Sequence, residues 1–158
     1  MEIDYPIVGY GTFIYKLNED KEKIKVLGQC MVHNYIRIFH KELGYWYPFV
    51  LPMNGHKFKA VLYEVYSQEY LKQLDYYEGV PDLYSRNKCK VIFDNRLIYA
   101  WIYIPSKNTR NIISHKLNKL NPIDKKKIFE KDLWLEYLRN SYPNTLRSYP
   151  KLFTPIKE

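Results

Sequence analysis

Leu74-Asp75-Tyr76-Tyr77-Glu78-Gly79-Val80, followed by Tyr84-Ser85-Arg86, is the stretch on which the reading of this chain turns. Just upstream, Ser67 is an N-cap residue type, and Glu69 falls in the first turn, where a helix dipole favours negative charge. Tyr70, Leu71, Leu74 and Tyr77 recur at helical spacing, and Gly79 is placed to end the helix. The pattern predicts a short helix with Glu78 in its last turn, ahead of a strand. The negative end of the dipole and partial burial both hold a carboxyl toward its neutral form and raise its pKa. That brings a glutamate toward the range of a useful general base. The plainer reading of Glu78 is a solvated carboxylate at a helix end.

Working outward, residues 57–66 alternate, with Phe58, Ala60, Leu62 and Glu64 on one face and Val61, Tyr63 and Val65 on the other, as in a strand. Val80-Pro81-Asp82 reads as a turn. Residues 84–93 and 96–104 form a hairpin about Asp94-Asn95, and Pro105 closes its second strand. Near the N-terminus, residues 5–15 read as a strand interrupted by a turn at Gly9 and Gly11. Residues 18–25 are polar, an exposed loop. Residues 26–39 predict one or two strands. Residues 44–56 look like a loop, with Pro48, Pro52 and the turn pair Asn54-Gly55; its aromatics would wall a pocket or cap the core. Ile112, Ile113, Leu117 and Leu120 fit a short helix. Asn121-Pro122 starts another, whose apolar stripe Ile128, Phe129, Leu133, Leu135 and Leu138 extends it to about residue 139. Residues 140–158, with three prolines, are a tail packed over the domain or reaching a partner.

The chain's 158 residues suit one domain, 1–158, with 105–158 as a helical and irregular C-terminal extension. Aromatics reach 17%, with 17 tyrosines, which suits strands, pockets and interfaces. Cys30 and Cys89 are too few for a disulfide scaffold and form no CxxC motif. No two of His33, His40, His56 and His115 have the spacing of a helical metal site, so no metal site is expected. The opening residues hold no signal-peptide pattern and no apolar run reaches membrane-spanning length, so the chain reads as soluble and cytoplasmic. Net charge is +8, with Lys116, Lys119, Lys125, Lys126, Lys127 and Lys131 crowded together. Such a run is a solvated helix face or an attractor of anionic partners, nucleic acid included.

Four motifs occur in order: Tyr10-Gly11-Thr12-Phe13, Leu74-Asp75-Tyr76-Tyr77-Glu78-Gly79, Tyr84-Ser85-Arg86 and Ala100-Trp101-Ile102-Tyr103. Together they resemble the gamma-glutamylcyclotransferase-like superfamily, in its avirulence-induced-gene-like branch, over residues 7–104. Asp132-Leu133-Trp134 echoes an Asp-Trp pair near that family's end. The chain departs from the family at Lys59-Ala60-Val61, where a glycine is usual. The resemblance implies an α+β fold, a small mixed β-barrel around a cavity with flanking helices. It implies Glu78 as the catalytic acid/base, and Tyr10, Gly11, Thr12, Phe13, Tyr84, Arg86 and Tyr103 as substrate-binding residues.

The implied reaction is intramolecular attack of the alpha-amine of a gamma-glutamyl amide or amine on its own side-chain carbonyl. It releases 5-oxoproline, a transferase or lyase chemistry that needs no cofactor. The expected partner is a small gamma-glutamyl-type molecule, and a homodimer is compatible with the sequence. Two alternatives stay open: a non-catalytic binding or regulatory module on the same barrel, and a nucleotide- or nucleic-acid-handling protein using its basic surface.

Overall fold

The computed structural model describes residues 5–11, 13–43 and 47–141. Five strands close into a barrel: β1 (Ile7–Gly9), β2 (Ile24–Ile38), β3 (Phe49–Val65), β4 (Tyr84–Phe93) and β5 (Arg96–Pro105), in the order β1-β3-β2-β4-β5. Five helices flank it: α1 (Phe13–Glu19), α2 (Gln68–Tyr77), α3 (Lys107–Asn118), α4 (Pro122–Glu130) and α5 (Leu133–Ser141).

Short β1 closes the barrel. It pairs antiparallel with β3, Val8 opposite Leu62, and parallel with β5, Ile7 opposite Trp101; the Trp101 N–H donates to the Pro6 carbonyl at 2.8 Å. β2 runs along β3 from Ile24↔Val65 to Ile38↔Phe49. Alternate residues from all five strands fill the interior, among them Val8, Val32, Leu62, Val91 and Ile102. The opposite face of β3, through Val61, Tyr63 and Val65, packs with residues of α1, α2 and α5. A strand covered on both faces explains why this segment is apolar on both.

The structure redraws several sequence expectations. The strand expected over residues 5–15 ends at Gly9, and Phe13 begins a helix, because Phe13, Ile14 and Leu17 are buried together in one apolar cluster. The polar loop expected at 18–25 holds the end of α1, a 3-10 turn at Lys21–Lys23 and the start of β2. The segment expected as a loop at 44–56 becomes strand from Phe49 onward, since β2 supplies a pairing partner; residues 44–46 lie outside the described part. The turn signal at Asn54-Gly55 survives locally. Gly55 has φ +85 and donates to the Asn34 side chain at 3.2 Å, and the register between β2 and β3 shifts there. The single helix expected to run to about residue 139 is broken into α4 and α5 at Asp132. That carboxylate leaves the helical run to accept from Arg37 and from the Leu135 N–H. The tail beyond residue 141 lies outside the described residues.

The hairpin about Asp94-Asn95 forms as expected, both residues with positive φ. Cys30 and Cys89 are buried free thiols in the barrel interior, and burial pushes each up to about 12. No described helix is long and apolar enough to cross a membrane.

Gly9, the last residue of β1, is closely packed. A Cβ there would stand 2.9 Å from Cε1 of Tyr63, a fully buried ring, and 3.1 Å from Ile14 Cγ1. Gly9→Ala is therefore expected to lower stability by roughly 1–3 kcal/mol through overpacking. Urea unfolding checks this; an unchanged midpoint would mean that the ring moves aside freely.

Candidate active site

The site is built on the end of α2. The Ser67 hydroxyl caps the helix start, accepting from the Tyr70 N–H at 3.1 Å, while Tyr70, Leu71 and Leu74 bury one face. At the other end, Val80 N–H donates to the Asp75 carbonyl and Gly79 N–H to the Tyr76 carbonyl, both at 3.0 Å. This double bond pattern is a Schellman ending, with Gly79 at φ +71 in the position that needs left-handed backbone. Glu78 is the C-cap residue, its own N–H held by Leu74 at 2.9 Å. The chain then turns, Leu83 N–H bonding the Gly79 carbonyl at 2.8 Å, and delivers Tyr84 as the first residue of β4.

A pocket of about 440 Å³ opens at the end of the barrel where β1 and β5 finish and β3 and β4 begin. Tyr10, Gly11, Phe13, Glu78, Tyr84 and Tyr103 line it, so six of the residues marked in the sequence meet around one space. Tyr47, Pro48, Tyr77 and Leu83 complete it. Tyr47 and Pro48 come from the aromatic segment expected to wall a pocket or cap the core. Thr12 lies outside the described residues. Arg86 does not line the pocket.

The Tyr10 loop is fixed from both sides. Its hydroxyl donates to the Tyr103 carbonyl at 2.7 Å, and its own carbonyl accepts from Arg37 at 2.8 Å. Phe13 packs edge-on against Tyr103, with ring centroids 5.3 Å apart. A Cβ on Gly11 would stand 2.8 Å from Pro48 Cγ, so close approach to the pocket wall is what the glycine permits there. The Gly11 N–H donates to no described residue.

Asp75, one turn before Glu78, is the polar centre behind the pocket. It accepts from Arg86 Nε at 2.7 Å and Nη2 at 3.1 Å, and from the Tyr103 hydroxyl at 2.6 Å. The Arg86 guanidinium also lies 4.4 Å from the Trp101 ring centroid. Arg86 is thus spent on Asp75 and Trp101. Asp75 was not marked in the sequence as a site residue; its i, i−3 relation to Glu78 was the available signal.

Glu78 itself is different. Its carboxyl makes no hydrogen bond or ion pair with any described residue, and burial raises its pKa to about 7. Burial is the cause. Burial likewise raises the Tyr10 and Tyr103 phenols, with the nearby Glu78 charge adding to both; at Tyr103 the bond to Asp75 is the second cause. Among the described residues no group of three or more His, Cys, Asp or Glu is placed to hold a metal ion.

A closed mixed barrel carrying one isolated, partly buried carboxyl in a tyrosine-walled end pocket defines a small barrel protein with a candidate acid/base site. The chain belongs to the family described as gamma-glutamyl cyclotransferase, AIG2-like, whose model matches residues 7–128. Among solved structures it is similar to a gamma-glutamyl cyclotransferase at 13% identity and TM-score 0.54, covering 86% of this chain and 98% of the other. It is also similar to an Arabidopsis thaliana protein solved in solution, at 16% identity and TM-score 0.56, with 100% and 98% covered. An AIG2-like protein from Mus musculus matches at 23% identity and TM-score 0.51, with 64% and 78% covered. At these identities the likeness is one of fold. No curated protein matches.

The raised pKa carries a sign for stability. Glu78 ionises near 7 in the folded chain against 4.5 in the unfolded one. The folded state therefore holds the extra proton between those values, and stability falls as pH rises through that window. Glu78→Gln cannot ionise and escapes the loss. Relative to the parent it should gain roughly 1–3 kcal/mol at pH 8 and little at pH 4, the lower figure reflecting residual solvent contact. Thermal melts of both proteins at the two pH values check this; a variant no more stable at pH 8 would place the carboxyl in water.

Proposed function

We propose that the chain is a gamma-glutamylcyclotransferase-type enzyme acting on a small gamma-glutamyl amide or amine, with Glu78 as its acid/base. One observation carries the reading: in a member of this family, the pocket holds a carboxyl with no hydrogen-bond or ion-pair partner among the described residues, whose burial raises it to about 7.

The chemistry follows from that carboxyl. The substrate's alpha-ammonium gives a proton to the Glu78 carboxylate, and the freed amine attacks its own gamma-carbonyl carbon. The new C–N bond closes the five-membered ring, and the amide C–N bond then breaks. The two protons shed by the alpha-nitrogen end on the departing nitrogen through Glu78, leaving 5-oxoproline and an ammonium. A tethered nucleophile needs mainly a fixed rotamer, and such orientation is worth roughly 7–11 kcal/mol. The rigid Tyr10 loop and the aromatic walls at Phe13 and Tyr103 serve that purpose. The Gly11 N–H is available to the oxyanion or to the substrate carboxylate. Arg86 acts through Asp75 and Tyr103, holding the wall from behind.

Release of 5-oxoproline from a panel of gamma-glutamyl amino acids and amines, followed by mass spectrometry, tests the reading. The parent should release it, and Glu78→Gln should lose about 100- to 10,000-fold in kcat/KM. In the parent, kcat/KM should rise with pH through a limb near the Glu78 value of about 7, because the base must be ionised. No release by a folded parent, or full activity in Glu78→Gln, would sink it.

A further inference from the structure

Two short sequence patterns, Lys57-Phe58-Lys59 and Lys88-Cys89-Lys90, place lysines on the same side of the barrel wall. In each, the middle residue is buried in the interior, so the lysines on either side point out. The register brings them together. His33 on β2 pairs with Lys57 on β3 and with Lys90 on β4, and Lys90 pairs with Tyr99 on β5. The outer wall thus carries a row Lys57–His33–Lys90–Tyr99, four strands wide. Beside it run Lys59–Met31–Ile92–Leu97 on one side and Lys88–Trp101 on the other.

This face has no acidic residue in any of its three rows. Lys57, Lys59, Lys88 and Lys90 make no ion pair with any described carboxylate. Carboxylates stand at its edges: Asp94 in the hairpin turn, and Glu130, Asp132 and Glu136 on the side of α4 and α5, where Arg37 already holds Asp132. The face is concave at both ends. A cavity of about 580 Å³ is lined by His33, Lys88, Lys90 and Tyr99 among others, and one of about 530 Å³ by Lys57, Lys59, Lys131 and Arg139 together with Asp132 and Glu136. Aromatic surface is interleaved: Tyr99 is 46% exposed, Tyr5 packs edge-on against it, and Lys88 sits 5.3 Å from both ring centroids.

We propose that this outer β3-β2-β4-β5 face binds single-stranded nucleic acid, its lysine rows following the phosphates and Tyr99 stacking a base. Lysines two residues apart on a strand are about 6.7 Å apart, a spacing that successive phosphates of an extended strand can match. A shallow wall with an exposed ring suits unstacked bases; it has no projecting helix or ribbon to enter a duplex groove. The face is separate from the pocket, Tyr99 lying four residues, or about 13 Å, back along β5 from Tyr103.

The test is fluorescence anisotropy of the full chain with a labelled uridine oligomer. Matched duplex RNA, heparin and phosphatidylserine vesicles serve as competitors. Four phosphate contacts predict that affinity falls about 50-fold between 50 and 200 mM salt, and only about 7-fold in Lys57→Gln/Lys90→Gln, which loses two of them. Tyr99→Ala should weaken binding about 5-fold or more with the salt slope unchanged, and Tyr99→Phe should restore it, since stacking needs only the ring. Absence of binding at 50 mM salt would overturn the proposal. So would a salt slope untouched by the lysine changes. Duplex, heparin or vesicles competing as well as the single strand, with Tyr99→Ala silent, would mean a general polyanion or membrane surface instead.

Discussion

A buried cation holds the architecture together. The Arg37 side chain on β2 is fully buried, and its guanidinium must be matched by acceptors because an uncompensated charge inside the protein is costly. The Tyr10 carbonyl, at the exit of β1, and the Asp132 carboxylate, before α5, supply them at 2.8 and 2.6 Å. The Phe58 ring from β3 lies 4.8 Å from the guanidinium carbon. One side chain therefore ties β2, the pocket loop and the C-terminal helices to one point. Removing the Asp132 carboxylate would leave a buried charge without its counter-ion, a loss of roughly 3–5 kcal/mol for such pairs. The break between α4 and α5 falls where Asp132 is taken by Arg37.

The pocket shows how a protein keeps one carboxyl unpaired next to an arginine. Asp75 and Glu78 leave the same helix one turn apart, and Arg86 faces that region from β4. Asp75 takes the guanidinium with two bonds and the Tyr103 hydroxyl with a third, while the Trp101 ring covers the cation. Glu78 is left with tyrosines and apolar walls, and burial acts on it unopposed. The Schellman ending fixes where its side chain departs, since the backbone on both sides is hydrogen-bonded. The same barrel keeps its charged outer wall apart from this pocket. Strand alternation sends Cys89 and Phe58 inward and their lysine neighbours outward.

Much of this was legible locally. The Ser67 cap, the helix to Tyr77, the Gly79 ending and the Asp94-Asn95 hairpin each depend on a few adjacent residues, and each formed where its pattern placed it. The ordered motifs placed the chain in its family. Segments whose state depends on remote partners read wrongly. The segment beyond Gly11 looked extended, yet Phe13, Ile14 and Leu17 form a helix because the other face of β3 offers them a core. Residues from 49 onward looked like loop because of prolines and Asn54-Gly55, yet β2 pairs with them across a bulge. Of the crowded lysines from 116 to 131, Lys116 bonds the Leu43 carbonyl and exposed Lys126 approaches Glu130 one turn on.

What the sequence determined by itself was short-range: caps, turns, alternation, and Glu78 next to a helix-ending glycine. Those features are set by backbone sterics and by hydrogen bonds between near neighbours. The tertiary structure alone decided that Arg86 belongs to Asp75, that Arg37 reaches Asp132 across 95 positions, and that two separated lysine pairs share one wall. Each of these depends on strand register and on the burial of charge. Neither quantity exists until the barrel closes.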